Sequence, residues 1–148
     1  MLKTPQGSTH LHSKIIIPFL VGGILLALLS GVLYLTQNPA SAATPPAEVS
    51  VAEAVRMRDT GAFILDVRQP EEWNQVHIPG ATLIPLSELR TRLNEIPADL
   101  PVLVVCRSGN RSATGRDILL KAGFLNVTSM AGGMNKWQAS GYPIASGS

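Results

Sequence analysis

The sequence contains little from which a disulfide or a metal site can be built. It has 1 cysteine and 3 histidines among 148 residues, so no disulfide can form within the chain. A structural zinc site needs about four cysteine or histidine ligands at close spacing, which these scattered residues do not provide. The sequence therefore predicts neither a metal ion nor another bound cofactor. It leaves a single thiol to be explained.

The chain also lacks a basic excess in its main part. Its formal net charge is +2, but residues 44–148 contain 10 acidic and 10 basic side chains. The excess comes from Lys3 and Lys14, near the N-terminus. Proteins that bind nucleic acid carry clustered basic side chains that neutralise phosphates. The neutral main part therefore predicts no nucleic-acid partner.

No charged residue occurs in the apolar segment 15–35. Its 21 residues match, as a helix, the hydrocarbon core of a bilayer, which is about 30 Å thick. Lys3 and Lys14 precede the segment, and the next charged residue is Glu48. Because positive residues favour the cytoplasmic side, the sequence predicts a single-pass membrane helix at 15–35. Residues 1–14 would then be cytoplasmic, and the rest extracytoplasmic, in the periplasm or its equivalent.

A cleavable signal peptide is the alternative for the same segment. Ala40-Ser41-Ala42 has the small residues of a cleavage site, and cleavage near Ala42 would release a secreted protein. The apolar part of a signal peptide usually has about 7–15 residues, so the longer segment favours the uncleaved anchor. Residues 36–47, rich in proline, alanine, serine and threonine, are predicted to be a linker. Residues 48–148 form the predicted exported domain.

Within this domain, short apolar segments alternate with amphipathic ones. The predicted strands are 62–67, 81–84, 102–105 and 126–130, and the predicted helices are 50–58, 70–75, 87–96, 112–122 and 134–139. Such alternation over short connections is typical of an α/β domain. Its mostly parallel central sheet is expected to be covered by helices on both faces. Ligands of these sheets bind at the carboxyl ends of the strands.

The only cysteine, Cys106, directly follows the apolar segment Val102–Val105, at the predicted carboxyl end of a strand. The polar loop after it contains Arg107, Gly109 and Arg111 and leads into a helix. Converging backbone N–H groups, a helix N-terminus and two guanidinium groups all stabilise an anion. A cysteine that only fills core space does not account for this loop. The pattern favours Cys106 as a thiolate beside a site for an anionic ligand.

A set of sequence segments resembles, in order, those of the single-domain rhodanese family. The segments are Leu65–Arg68, Glu71–Trp73, His77–Ala81, Cys106–Ser112 and Gly132–Trp137. Together they span essentially the whole exported domain. The resemblance implies a rhodanese-like fold and a sulfurtransferase, often called a thiosulfate sulfurtransferase, whose cysteine carries a persulfide. One departure is Val76, where many relatives have glycine, and it affects only a local turn.

The resemblance also implies roles for individual residues. Cys106 is the expected catalytic residue. The expected substrate-binding residues are Arg107, Ser108, Gly109, Asn110, Arg111 and Ser112. Asp66 and Arg68 end a neighbouring strand and are expected to support the Cys106 loop rather than contact the substrate. The implied donor is thiosulfate or another sulfane-sulfur compound, and the implied acceptor is a thiol, a dithiol protein or cyanide.

Other conspicuous residues of these segments are predicted to be structural. His77 is the only histidine of the predicted domain, and the Ile78-Pro79-Gly80 that follows it favours a turn over a catalytic base. Trp73 and Trp137 are predicted to pack in the core or at its rim. Gly132 and Gly133 are predicted to form a tight turn beside the site.

Two other functions compete with sulfur transfer. Cysteine-dependent phosphatases and arsenate reductases have one more residue between cysteine and arginine than the four that separate Cys106 from Arg111 here. The position where those enzymes carry arginine is Ser112, which cannot clamp phosphate in the same way. The second competitor is a membrane-tethered persulfide carrier or docking module that serves a protein partner. The intact cysteine and basic loop are compatible with such a carrier.

Overall fold

A computed structural model of the chain describes residues 44–147, in which five parallel strands form one sheet. The strands are β1 (Glu48–Val49), β2 (Phe63–Asp66), β3 (Thr82–Leu83), β4 (Val102–Val105) and β5 (Val127–Met130), in the spatial order β1-β5-β4-β2-β3. The helices are α1 (Val51–Asp59), α2 (Pro70–Gln75), α3 (Asn110–Lys121) and α4 (Gly133–Ala139). The predicted α/β fold with a parallel sheet is confirmed.

Strand β4 lies at the centre of the sheet and is buried along its whole length. Its side chains alternate between the two faces, as the two-residue period of a strand requires. Val102 and Val104 pack in an apolar cluster that includes side chains of α3. Leu103 and Val105 pack in a second cluster with side chains of α1 and α4. Helices therefore cover both faces, as predicted, and the double burial fixes the register that ends β4 just before Cys106.

The chain joins the sheet earlier than the predicted boundary at residue 48. The Pro46 carbonyl accepts a hydrogen bond of 2.7 Å from Thr128 Oγ1. The Ala47 carbonyl accepts one of 3.1 Å from the backbone N–H of Ser129. The predicted membrane helix 15–35 lies outside the described residues. Among residues 44–147, no helix combines the length and the apolar character needed to cross a bilayer.

Strand β1 was not among the predicted strands. It pairs with β5, with Glu48 opposite Ser129 and Val49 opposite Met130. A strand of 2 residues is too short to show the alternating pattern by which strands are recognised in a sequence. The start of α3 at Asn110 also precedes the predicted start at residue 112, and Gly109 is its N-cap residue.

The predicted helix over residues 87–96 is wrong in type. The segment forms two 3-10 turns, Leu89–Thr91 and Leu93–Glu95, which meet at Arg92, whose φ of −119° is not helical. Prolines on both sides leave room for only a short segment, and forming the first α-helical turn is the costly step. The segment nevertheless contributes apolar side chains to the core, because Ile96 and the leucine that opens the first turn are buried.

Helix α3 packs closely against β4 through a glycine. A Cβ atom added at Gly115 would lie 3.1 Å from Val104 Cγ1 and 3.4 Å from Val67 Cγ1. Glycine inside a helix costs about 0.5–1 kcal/mol relative to alanine, and the close approach of helix and sheet offsets that cost. Since α3 begins in the Cys106 loop, this contact also sets where the loop lies relative to β4.

We expect Gly115→Val to lower the free energy of unfolding by about 1–3 kcal/mol, the usual cost of extra volume in a packed core. Thr114→Val on the exposed side of α3 is the matched control, and its effect should stay within about 0.5 kcal/mol. Urea unfolding of both variants checks the prediction. Equal stability of the two variants would contradict the close packing of α3.

Candidate active site

Strand β4 delivers Cys106 to the carboxyl edge of the sheet, where the sequence predicted it. Cys106 is 1% exposed, whereas Arg107, Ser108 and Asn110 in the loop after it are exposed. Gly109 has φ of 109°, a left-handed conformation that glycine adopts without strain. The chain therefore turns sharply, and the first turn of α3 returns to the cysteine.

Hydrogen-bond donors converge on the Cys106 sulfur. The backbone N–H of Gly109 donates to Sγ at 3.1 Å. Ser112 Oγ lies 3.5 Å from Sγ and donates to the Gly109 carbonyl at 2.8 Å, and its hydroxyl can rotate to donate to the sulfur of a thiolate. Burial raises the pKa of the thiol, but the Ser112 hydroxyl and the backbone N–H groups of Ser112, Gly109 and Ser108 outweigh it. The pKa of Cys106 is therefore lowered from its ordinary value. Gly109 and Ser112, both predicted to bind substrate, thus contact the cysteine sulfur itself.

Helix α4 holds the backbone of the loop from behind. The N–H of Met134 donates to the Cys106 carbonyl at 2.8 Å, and the N–H of Asn135 donates to the Arg107 carbonyl at 3.0 Å. A Cβ atom at Gly133 would lie 2.2 Å from the Cys106 carbonyl oxygen, so only glycine fits there. Gly132 and Gly133 have φ of 73° and 55°, which is the tight turn beside the site that the sequence predicted.

An open pocket of about 430 Å³ lies beside the loop. Its lining consists of Glu72, Arg107, Ser108, Asn110 and Arg111. Four of these are predicted substrate-binding residues, and the structure brings them together on one side of the cysteine. Among residues 44–147, the Arg107 guanidinium makes no ion pair within 4.0 Å. The pocket therefore offers a free cation and polar groups near the thiol.

Glu72 is the residue of the site that sequence reasoning missed. Its carboxylate accepts hydrogen bonds of 2.7 Å from Arg111 Nη1 and of 2.7 Å from Arg111 Nη2. These bonds lower the pKa of Glu72 to about 2, against the opposing effect of burial. The bonds join residues 39 positions apart, and no local pattern reveals such a pairing. The only signal was that Glu72 belongs to one of the segments shared with the rhodanese family.

The buried pair Asp66 and Arg68 supports α2 rather than the Cys106 loop. Both Nε and Nη2 of Arg68 donate to the Asp66 carboxylate, at 2.9 and 2.6 Å. Arg68 also donates to the backbone carbonyl of Val76 at 2.7 Å and to that of Glu72 at 3.4 Å. The two side chains are 1% and 3% exposed. Neither lines the open pocket, but Arg68 lines a smaller cavity with Glu72 and Arg107. The pair is connected to the site through the hydrogen bond from Arg68 to the backbone carbonyl of Glu72.

Comparison with known proteins agrees with this geometry. The sequence profile of the rhodanese-like domain matches residues 50–140, which is more than half of the chain. The chain belongs to the rhodanese family. A solved structure of a rhodanese-related protein from Thermoplasma volcanium has a TM-score of 0.63 and 32% sequence identity, covering 68% of this chain and 98% of that one.

Two relatives of this rhodanese domain carry different functional names, one a sulfurtransferase and the other a putative sulfur carrier. The domain is 35% identical over 95 residues to the thiosulfate sulfurtransferase GlpE of Pseudomonas entomophila, covering 64% of this chain and 86% of that protein. It is 39% identical over 79 residues to the putative sulfur carrier protein YrkF of Bacillus subtilis, covering 53% of this chain. The chain spans 43% of that protein and 60% of a second Bacillus subtilis relative.

His77 has structural contacts in the rhodanese domain, as the sequence predicted. Its ring stacks on Trp73 with centroids 3.8 Å apart and planes inclined by 1°. Its Nδ1 lies 3.0 Å from the Trp73 carbonyl, and its backbone pairs with Ala145 in an isolated antiparallel bridge. The hydrogen bonds of His77 thus link the C-terminal segment to α2.

Trp137 is fully buried, in agreement with its predicted place in the core.

Ser112→Ala removes the hydroxyl that lowers the pKa of Cys106, so the pKa of the variant should be higher. The midpoint of the alkylation rate against pH, measured with iodoacetamide, should move upward. The rate at pH 7 should fall about tenfold, because a hydrogen bond to a charged group contributes about 1.5–3 kcal/mol. Ser108→Ala is the control, since Ser108 acts through its backbone N–H, which alanine keeps. An equal shift in both variants would contradict the role of the hydroxyl.

Gly133→Ala places a methyl group against the Cys106 carbonyl. We expect it to lower the free energy of unfolding by about 1–3 kcal/mol more than Gly141→Ala does. Gly141 has a similar φ of +74° but no atom within 4 Å of an added Cβ, so this control shows only backbone strain. Gly133→Ala should also move the alkylation profile to higher pH. If stability falls but the alkylation profile does not move, the contact with α4 has no effect on the pKa of Cys106.

Proposed function

We propose that this rhodanese domain transfers the sulfane sulfur of thiosulfate, or of a similar donor, through a persulfide on Cys106. The observation that carries the proposal is the setting of the buried Cys106 thiol, where the Gly109 N–H donates to Sγ at 3.1 Å and Ser112 Oγ lies 3.5 Å away, and where these and neighbouring backbone N–H groups lower the pKa. Such donors stabilise an anionic sulfur, both as thiolate and as persulfide. The acceptor is a thiol, a dithiol protein or cyanide.

In the first half-reaction the Cys106 thiolate attacks the outer sulfur of thiosulfate. A new bond forms between the two sulfur atoms, while the bond inside thiosulfate breaks and its electron pair leaves with sulfite. No proton is transferred, so a general base is not required once the thiolate is present. The guanidinium of Arg107 attracts the anionic donor, and charged hydrogen bonds from arginine suit a sulfonate group.

In the second half-reaction the acceptor attacks the outer sulfur of the persulfide. Its electron pair forms the new bond, and the pair of the breaking bond returns to Cys106 as thiolate. Cyanide becomes thiocyanate, and a thiolate becomes a persulfide. The same backbone N–H groups hold the anion before and after the transfer. Alternate release of sulfite and uptake of acceptor gives ping-pong kinetics.

A persulfide carrier loaded by a protein partner is the second candidate. The observation that favours it is the similarity to a putative sulfur carrier protein. In that case the exposed rim of the loop, including Arg107 and Ser108, would contact the partner. Thiosulfate alone would then leave Cys106 unmodified, whereas an enzyme of the first kind would be loaded by it.

The proposed location is extracytoplasmic, with the domain tethered through a membrane helix at residues 15–35. The uncharged 21-residue segment and the preceding lysines support this orientation. Cleavage near Ala42 would release the same domain as a secreted protein. In both cases the persulfide would form outside the cytoplasm, where its sulfur acceptor must also be present.

The test compares the full chain with its Cys106→Ser variant in detergent. The natural protein should form thiocyanate from thiosulfate and cyanide, and the variant should form none above the uncatalysed rate. Mass spectrometry after thiosulfate treatment should show one added sulfur on Cys106, removed by cyanide or a dithiol. Absence of this adduct in the natural protein would sink the thiosulfate proposal and favour the carrier.

A further inference from the structure

The pocket beside Cys106 contains a carboxylate that an anionic donor does not need. Glu72 lines it together with Arg107 and Arg111. Both terminal nitrogens of Arg111 donate to the Glu72 carboxylate, so the guanidinium edge best suited to a second oxyanion is occupied. The proposed reaction assigns no role to this carboxylate.

Glu72 is charged under all physiological conditions. Its hydrogen bonds with Arg111 hold its pKa at about 2, and the same contact raises the pKa of Arg111. The pair therefore adds no net charge to the pocket. The cation left without a partner is Arg107, whose guanidinium has no ion pair among residues 44–147. The pocket therefore holds one free positive charge, that of Arg107, beside the Cys106 loop.

The fold fixes the Glu72 carboxylate in place. Glu72 Oε2 accepts a hydrogen bond of 3.2 Å from the backbone N–H of Gln69, in a capping box at the start of α2. Its backbone carbonyl is bound by Arg68 at 3.4 Å, and Arg68 is anchored by the buried Asp66. The Glu72 side chain is only 27% exposed. The carboxylate therefore stays beside the anion site when a donor arrives.

We infer that Glu72 is a specificity-determining residue that makes the site favour singly charged sulfane-sulfur donors over doubly charged thiosulfate. The inference rests on the proposed sulfur transfer at Cys106. Because Glu72 compensates the charge of Arg111 and occupies its donors, a dianion is attracted by Arg107 alone against the repulsion of the thiolate, and a monoanion is repelled less. The favoured class is an organic thiosulfonate, in which a carbon group replaces one charged oxygen of thiosulfate, or an organic persulfide, in which an alkylthio group replaces the sulfonate.

Two donors isolate the effect of charge. Thiosulfate and methanethiosulfonate present the same terminal sulfur on a tetrahedral sulfur atom, but a methyl group in the second replaces one charged oxygen of the first. Cys106 thiolate attacks the terminal sulfur in both cases. The sulfur–sulfur bond of the donor breaks, and its electron pair leaves with sulfite or with methanesulfinate. Cyanide then regenerates the thiolate, so thiocyanate measures both reactions.

The test is Glu72→Gln, assayed with both donors. Glutamine keeps a side-chain acceptor for the capping box but removes the charge. We expect KM for thiosulfate to fall about tenfold, equivalent to about 1.4 kcal/mol, and KM for methanethiosulfonate to fall less than about threefold. The control is Glu71→Gln, a change of equal charge at an exposed neighbour that makes no ion pair among residues 44–147. It should leave the ratio of the two KM values unchanged. If the ratio of KM for thiosulfate to KM for methanethiosulfonate is the same in Glu72→Gln as in the natural protein, the inference is overturned.

The double variant Glu72→Gln/Arg111→Gln separates charge from structure. If Glu72 acts by occupying Arg111, the gain for thiosulfate requires that arginine and is absent from the double variant. If KM for thiosulfate is still lowered when Arg111 is absent, Glu72 does not act by occupying Arg111. Equal changes for both donors in Glu72→Gln, or a loss of kcat with both, would assign Glu72 a purely structural role.

A second measurement does not depend on sulfur transfer. Iodoacetate and iodoacetamide alkylate the same thiolate but differ by one negative charge. Glu72→Gln should raise the ratio of the iodoacetate rate to the iodoacetamide rate about tenfold or less, and Glu71→Gln should not. If the natural protein fails to turn over either donor, the proposed function fails, yet this ratio still decides whether Glu72 controls anion access. An unchanged ratio rejects the inference even if thiosulfate is a good donor.

Discussion

The first turn of α4 fixes the orientation of the two peptide units that follow Cys106, and the loop around the sulfur is built on them. The N–H groups of this turn bind the carbonyls of Cys106 and Arg107, and a peptide unit is planar and trans. A carbonyl that points toward α4 therefore turns the N–H of the same unit to the opposite side. For the unit that joins Arg107 to Ser108, that side is the sulfur, which explains the contribution of the Ser108 N–H to the thiolate. This constraint needs a glycine at position 133, since a Cβ there would overlap the Cys106 carbonyl oxygen.

The lowered pKa of Cys106 results from two opposing effects on one buried atom. Burial alone disfavours the charged form, and it is the largest single effect at Cys106. The donors outweigh it only because they act together, from the Ser112 hydroxyl and from three backbone units. Their convergence depends on the left-handed Gly109 and on the start of α3, whose position is set by the close contact between Gly115 and β4. The reactivity of the cysteine is therefore a property of the packed sheet and helices as much as of the loop.

The sequence predicted the parts of this arrangement that are local. Cys106 after a buried apolar segment, with a basic glycine-containing loop and a helix behind it, was recognisable because neighbouring residues form the whole feature. The two-residue β1 and the 3-10 turns in place of a helix were not, since short elements take their form from tertiary contacts. Glu72 was missed for a different reason. A carboxylate that pairs with an arginine 39 residues away becomes visible only when the fold brings α2 beside α3.

The Glu72–Arg111 pair shows why a count of arginines overstates the attraction of such a site for anions. Ion pairs of this exposure contribute about 0–1 kcal/mol to stability, so stability alone is a weak reason to keep a carboxylate beside an anionic ligand. A bidentate pair does, however, fix an otherwise flexible guanidinium, and a fixed group loses little entropy when a ligand binds. The charge of the Arg111 guanidinium is already compensated by Glu72. Attraction of the donor then depends on Arg107, and discrimination between donors depends on how much negative charge they bring next to Glu72.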